Sequence, residues 1–170
     1  MKRIKPHHLF AYAALLTIST HASADWKYQD EVDKMTGKAE KYAIATSSNS
    51  LALAFPYAGA NKGRIYVQKH PQNGTNVYLT IDKGQILCSA ATKCTVQVRF
   101  DDDQPITFKG GGAADHDSTV VFILDSKRFI AQATKAKKIL AQVNIYQNGH
   151  QVLEFSTPES LKWDAPQKKK

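Results

Sequence analysis

Polar and apolar residues alternate through most of the chain between Trp26 and Phe155, the pattern of strands with one buried and one wet face. Trp26 to Val32 alternates loosely and reads as a first edge strand, followed by a turn at Thr36-Gly37. Lys41 to Thr46 carries Tyr42 and Ile44 on one face. Leu51, Leu53 and Phe55 alternate strictly until Pro56 ends the run, and Gly59 to Gly63 reads as a turn. In Arg64 to Lys69, Ile65 and Val67 point one way and Arg64, Tyr66 and Gln68 the other. Pro71-Gln72-Asn73-Gly74 is the strongest hairpin signal, and Thr75 to Ile81 returns with Val77, Leu79 and Ile81 inward.

Asp82-Lys83-Gly84 turns the chain again. Gln85 to Cys88 is expected to pair with Cys94 to Phe100, where Val96, Val98 and Phe100 share a face with Cys94. Asp101 to Asp103 forms an acidic turn, Ile106 and Phe108 start a short strand, and Gly110-Gly111-Gly112 reads as a flexible link. Val120 to Leu124 is continuously apolar, so a strand covered on both faces is expected there. A helix from Ser126 to Lys137 would supply the cover. Asp125 or Ser126 can cap it, and Phe129, Ile130, Ala133 and Ala136 form its apolar stripe. Ile139, Ala141, Val143 and Ile145 then alternate to a turn at Asn148-Gly149, and Val152 to Phe155 is the last strand. Pro158 to Leu161 reads as a short helical turn, with Trp163 packing back as an anchor. About nine or ten short strands and one helix give a mainly β fold, an antiparallel β-sandwich or curled sheet with one covering α-helix.

The first residues have a different pattern. Lys2, Arg3 and Lys5 precede the apolar run Leu9 to Ile18, and Ala22-Ser23-Ala24 offers small residues for a signal peptidase. This reads as a secretory signal peptide, residues 1–24. The run is about half of what a membrane span needs. A single β-rich domain over 25–164 and a disordered lysine-rich tail over 165–170 complete the division.

The formal charge of +8 shrinks on this reading. Three cations leave with the leader, giving +5, and Lys168, Lys169 and Lys170 account for three more, leaving about +2 for the body. A nucleic-acid partner is therefore not expected, since that would need a basic stripe on a folded face. Cys88 and Cys94 are the two cysteines. In an oxidising compartment an even pair reads as a disulfide. The spacing does not fit a CxxC redox site, and the local sequence lacks further metal ligands.

Catalytic chemistry is sparse. His116 lies between Asp115 and Asp117, which permits a histidine with oriented carboxylates at a metal or hydrolytic site; the same residues can simply satisfy local amides in a loop. Arg99 is a candidate structural partner for Asp101 or Asp115. No nucleophile elbow, zinc-protease, P-loop or dinucleotide motif is present, and no cofactor or metal is implied. Tyr66 and Tyr78 fall on the outward side of adjacent strands with Arg64, a plausible protein-contact patch or a plain cross-strand pair.

Three stretches carry a resemblance: Gly84-Gln85-Ile86-Leu87-Cys88 with Cys94 to Asp102, Ser118 to Phe122 with Phe129 and Ala136-Lys137-Lys138, and Tyr146, Gly149, Phe155 and Leu161-Lys162-Trp163. Over residues 76–163 the chain resembles a family of small secreted bacterial proteins, most of them uncharacterised. More distantly it is similar to the periplasmic accessory protein of type VI secretion clusters. It departs from that pattern at Glu159-Ser160, where glycine precedes leucine in the family. The resemblance implies export, the disulfide and a β-rich fold, and no catalytic residue. The expectation is a periplasmic, or alternatively secreted, non-enzymatic binding or accessory protein acting through a protein surface. An inhibitor of an enzyme and a cell-wall hydrolase centred on His116 are the alternatives.

Overall fold

A computed structural model describes residues 25–89 and 94–163. The expected signal peptide and lysine tail lie outside the described residues. Among the described residues there are nine strands: β1 (Lys27–Val32), β2 (Ala39–Thr46), β3 (Gly63–His70), β4 (Gly74–Ile81), β5 (Cys94–Phe100), β6 (Ile106–Gly112), β7 (Val120–Ile123), β8 (Lys138–Ile145) and β9 (Gly149–Ser156). One helix, α1 (Ser126–Ala133), lies between β7 and β8. The strands form one sheet in the order β1-β2-β3-β4-β7-β6-β5-β8-β9, with every neighbour antiparallel. β7 joins the first four strands to the remaining four.

Period-two alternation decides what is inside. Ala43, Ala45, Ile65, Val67, Val77 and Leu79 are fully buried on one half, as are Val98, Ala141, Leu153 and Phe155 on the other. These inner faces oppose each other as a β-sandwich. They approach closely at Gly63, where a Cβ would lie 2.5 Å from Leu153 Cδ1. The chain after β2 then crosses to the free edge of β9. Ser48 N–H donates to Glu154 O at 2.7 Å, Asn49 Nδ2 donates to Val152 O at 2.8 Å, and Glu154 N–H donates to Asn49 Oδ1 at 2.9 Å. Asn49 thus occupies backbone groups that an edge strand leaves open.

α1 covers the sheet as its stripe requires. The Asp125 carboxylate caps its start by accepting from Arg128 N–H at 3.2 Å. Phe129 and Ala133 face the core. Phe129 meets Phe100 and Phe108 edge-on, with ring centroids 5.4 and 6.0 Å away. Such pairs stabilise by about 0.5–1.5 kcal/mol beyond the area they bury.

Cys88 and Cys94 form the expected disulfide, with their Cα atoms 5.2 Å apart. The strand pairing around it differs from expectation. Gln85 to Leu87 does not pair with β5 but bridges the end of β8 through Ile86 and Ile145, with Leu87 N–H donating to Asn144 O. The triglycine is not a link: it is the end of β6. A Cβ on Gly110 would overlap Cys94 Sγ, and one on Gly112 would sit 2.7 Å from Cys88 O. Glycine is needed here because the disulfide-bearing segment runs directly over the strand.

Three further expectations change. Leu51 and Leu53 are buried, but their segment forms no strand, and Phe55 is 88% exposed. Val120 to Leu124 is not covered on both faces: Val121 and Ile123 are buried while Leu124 is 64% exposed. Pro158 to Leu161 is a bend, not a helical turn. Leu161 nevertheless docks in the core, its N–H donating to Ala133 O, and Trp163 packs partly buried against it.

Candidate protein-interaction face

The inward residues of β2, β3, β4 and β7 force the intervening side chains outward. Ile44, Tyr66, Tyr78 and Phe122 therefore stand in one row, each directly opposite the next. The Tyr66 and Tyr78 rings are stacked, with centroids 4.8 Å apart and planes within 6°. Phe122 continues the row, 5.2 Å from Tyr78 and tilted by 44°. All four side chains are half-buried. Burial between its neighbours pushes the Tyr78 phenol well above its ordinary range.

The row ends at a gap. Gly111 is opposite Phe122 and has no side chain, and Leu124 reaches over it. The result is a cleft of about 420 Å³ whose walls include Phe122, Leu124, Asn76 and Lys127.

Polar clusters flank the row. On one side Arg64 donates to Asp82 at 2.6 Å, and Asp82 also accepts from Lys62 N–H at 2.9 Å. Partial burial alone would raise the Asp82 carboxyl; the Lys62 amide and the Arg64 guanidinium outweigh it and hold the carboxyl below its usual range. On the other side lies a group that the sequence reading missed. Tyr42 Oη donates to Glu40 Oε2 at 2.5 Å, and Gln68 Nε2 donates to the same oxygen at 3.0 Å. His70 Nε2 lies 3.3 Å from Glu40 Oε1. His70 Nδ1 accepts from the Gln72 and Asn73 amides, both at 3.1 Å, so the ring proton belongs on Nε2. Burial and the bond to Glu40 push the Tyr42 phenol up to about 12, while that hydroxyl and Gln68 hold Glu40 below its usual range. Both imidazole nitrogens are engaged, so the cluster works as a clasp on the β3–β4 hairpin. Only the register that sets Tyr42 opposite Gln68 reveals it, and no local motif carries that information.

The other candidates are dispersed. His116 is exposed on a loop at φ 63°. Asp115 accepts from Asp117 N–H at 3.1 Å, and Asp117 accepts from the Thr119 amide and hydroxyl at 2.8 and 2.7 Å. Both flanking carboxylates are thus committed to the turn itself. The expected pairing of Arg99 with Asp101 or Asp115 is not formed. Asp101 instead accepts from the Lys137 and Lys138 amides at 3.0 and 2.8 Å. Among the described residues no group of three or more His, Cys, Asp or Glu side chains gathers in a metal-binding arrangement. Among the same residues no helix is long and apolar enough to cross a membrane.

No family model matches this chain, and neither the curated proteins nor the solved structures yield a match.

Proposed function

We propose that the protein is an exported binding module that engages a protein partner through the outer face of β2, β3, β4 and β7. The observation that carries this reading is the continuous row Ile44, Tyr66, Tyr78 and Phe122, set between the Arg64–Asp82 pair and the Glu40–His70 clasp. An apolar, aromatic centre with a charged rim is the anatomy of a protein interface. Ring orientation favours a protein over a sugar. Tyr66 and Tyr78 cover each other's faces, so they offer edges and hydroxyls, not the flat platform on which a sugar ring lies. Export follows from the leader-like first 24 residues and from the resemblance to secreted bacterial proteins. The partner therefore belongs to the periplasm or the extracellular space. The His116 loop lends no support to the hydrolase alternative, because its neighbouring carboxylates stabilise their own turns.

Site-specific photo-crosslinking tests this reading. A photoreactive residue in place of Leu124, beside the row, is expected to trap one discrete partner in cells. The same probe at Lys135, exposed just after α1 and away from this face, is expected to trap none. Tyr66→Ala with Phe122→Ala should abolish the Leu124 adduct. Equal adducts from both positions, or none from Leu124, would refute the assignment of this face.

A further inference from the structure

Arg99 stands on the outer surface of the other half of the sheet, directly opposite Leu140 of β8 and one position from the turn carrying Pro105. Its Nε is buried without a hydrogen-bond partner. Among the described residues no carboxylate pairs with its guanidinium: Asp101 caps two backbone amides, and Glu154 lies beyond Leu140 in the same cross-strand row. Gln97 and Gln142 face each other on the adjacent row, with Val152 next in line. These groups, with Pro105 and Leu140, line an open depression of about 220 Å³.

A guanidinium brings five donors in a planar fork, and leaving the Arg99 Nε–H buried and unmatched beside apolar walls is unfavourable. We infer that this depression binds a carboxylate carrying a short apolar tail. The carboxylate accepts two parallel hydrogen bonds from Arg99. The Gln97 and Gln142 carboxamides bond a neighbouring amide of the ligand, and the tail rests on Leu140 and Val152. A single cation among neutral amides suits one negative charge and not a phosphate. The depression is smaller than the pockets of drug-sized ligands, so the ligand is about one amino-acid residue in size at the point of contact. Such a group occurs in a free acylated amino acid and at the C-terminus of a peptide. This site is separate from the Tyr66–Tyr78 face, and either can fail without the other.

Isotope-labelled full-length protein titrated with N-acetyl-leucine, followed by NMR, tests the site. Saturable shifts are expected at the Arg99 Nε–H and at the Gln97 and Gln142 side-chain amides. N-acetyl-leucinamide, which lacks the charge, should bind about tenfold or more weakly, and Arg99→Gln should impose a similar loss on the acid. If Arg99→Gln does not fold, Arg99→Lys keeps the charge, loses the fork and should still weaken the acid. A peptide ending in leucine separates the two sources. Tighter binding than N-acetyl-leucine assigns a chain terminus, and equal binding assigns the free acid. Equal affinity for acid and amide, or shifts confined to residues outside this depression, would overturn the inference.

Discussion

Gly110 on β6 is directly opposite Cys94 on β5, and the sulfur fills the space where a side chain at position 110 would begin. Gly110→Ala is therefore expected to destabilise the protein by about 1–3 kcal/mol through overpacking. Thermal unfolding of the oxidised protein measures it. In a background carrying Cys88→Ala and Cys94→Ala the penalty should shrink, because the obstructing sulfur is gone. A penalty of the same size in both backgrounds would place the strain elsewhere.

Tyr66 and Tyr78 are stacked across β3 and β4. A double-mutant cycle to alanine should give a coupling of about 0.5–1.5 kcal/mol, with each single change destabilising. Strictly additive effects in denaturant titrations would mean that the stack contributes nothing beyond burial.

Acid should weaken the Arg64–Asp82 contact. The folded carboxyl of Asp82 sits below its ordinary value of 3.8. Its contribution is therefore fully present above that value and is lost as the pH falls through the lower, folded one. Wild type should melt above Asp82→Asn at neutral pH, and the gap should close in strong acid. A gap that is constant from neutral pH into strong acid would show that the charge plays no part.

Asn49 covers Val152 O and Glu154 N–H on β9. Asn49→Ala should cost about 1 kcal/mol, since water can replace part of what is lost. The opened edge should also promote concentration-dependent association. Light scattering across a dilution series reads the second effect. An unchanged melting temperature with no change in association would leave Asn49 without a protective role.

Much of this architecture is legible in the residues. The β3–β4 hairpin is one case: Ile65, Val67, Val77 and Leu79 alternate on either side of a turn closed by Gly74 at φ 73°. The Asp125 cap and the Phe129 stripe likewise sit in local sequence. Gly110-Gly111-Gly112 misleads because a glycine run has the same local appearance in a link and beneath a crossing chain. What distinguishes them is the disulfide segment overhead, which is remote in sequence and brought close only by strand pairing. Gln85 to Cys88 misleads for a related reason. A short cysteine loop suggests a hairpin, but Ile86 finds its partner in Ile145, which no local pattern names. Of the face proposed for binding, Tyr66, Tyr78 and Arg64 could be read from alternation. Phe122, Gly111 and the Glu40–His70 clasp needed the order of strands.

Nature has bound this molecule like a book. β7 is the spine, its four residues stitching one cover to the other. Asn49 is the latch on the opposite side, closed over β9 by two hydrogen bonds. A latch so slight releases before a spine, so the first breathing motion should lift Leu153 off Gly63 while the middle of the sheet stays zipped. Amide exchange should then be faster on β9 than along β4 and β7.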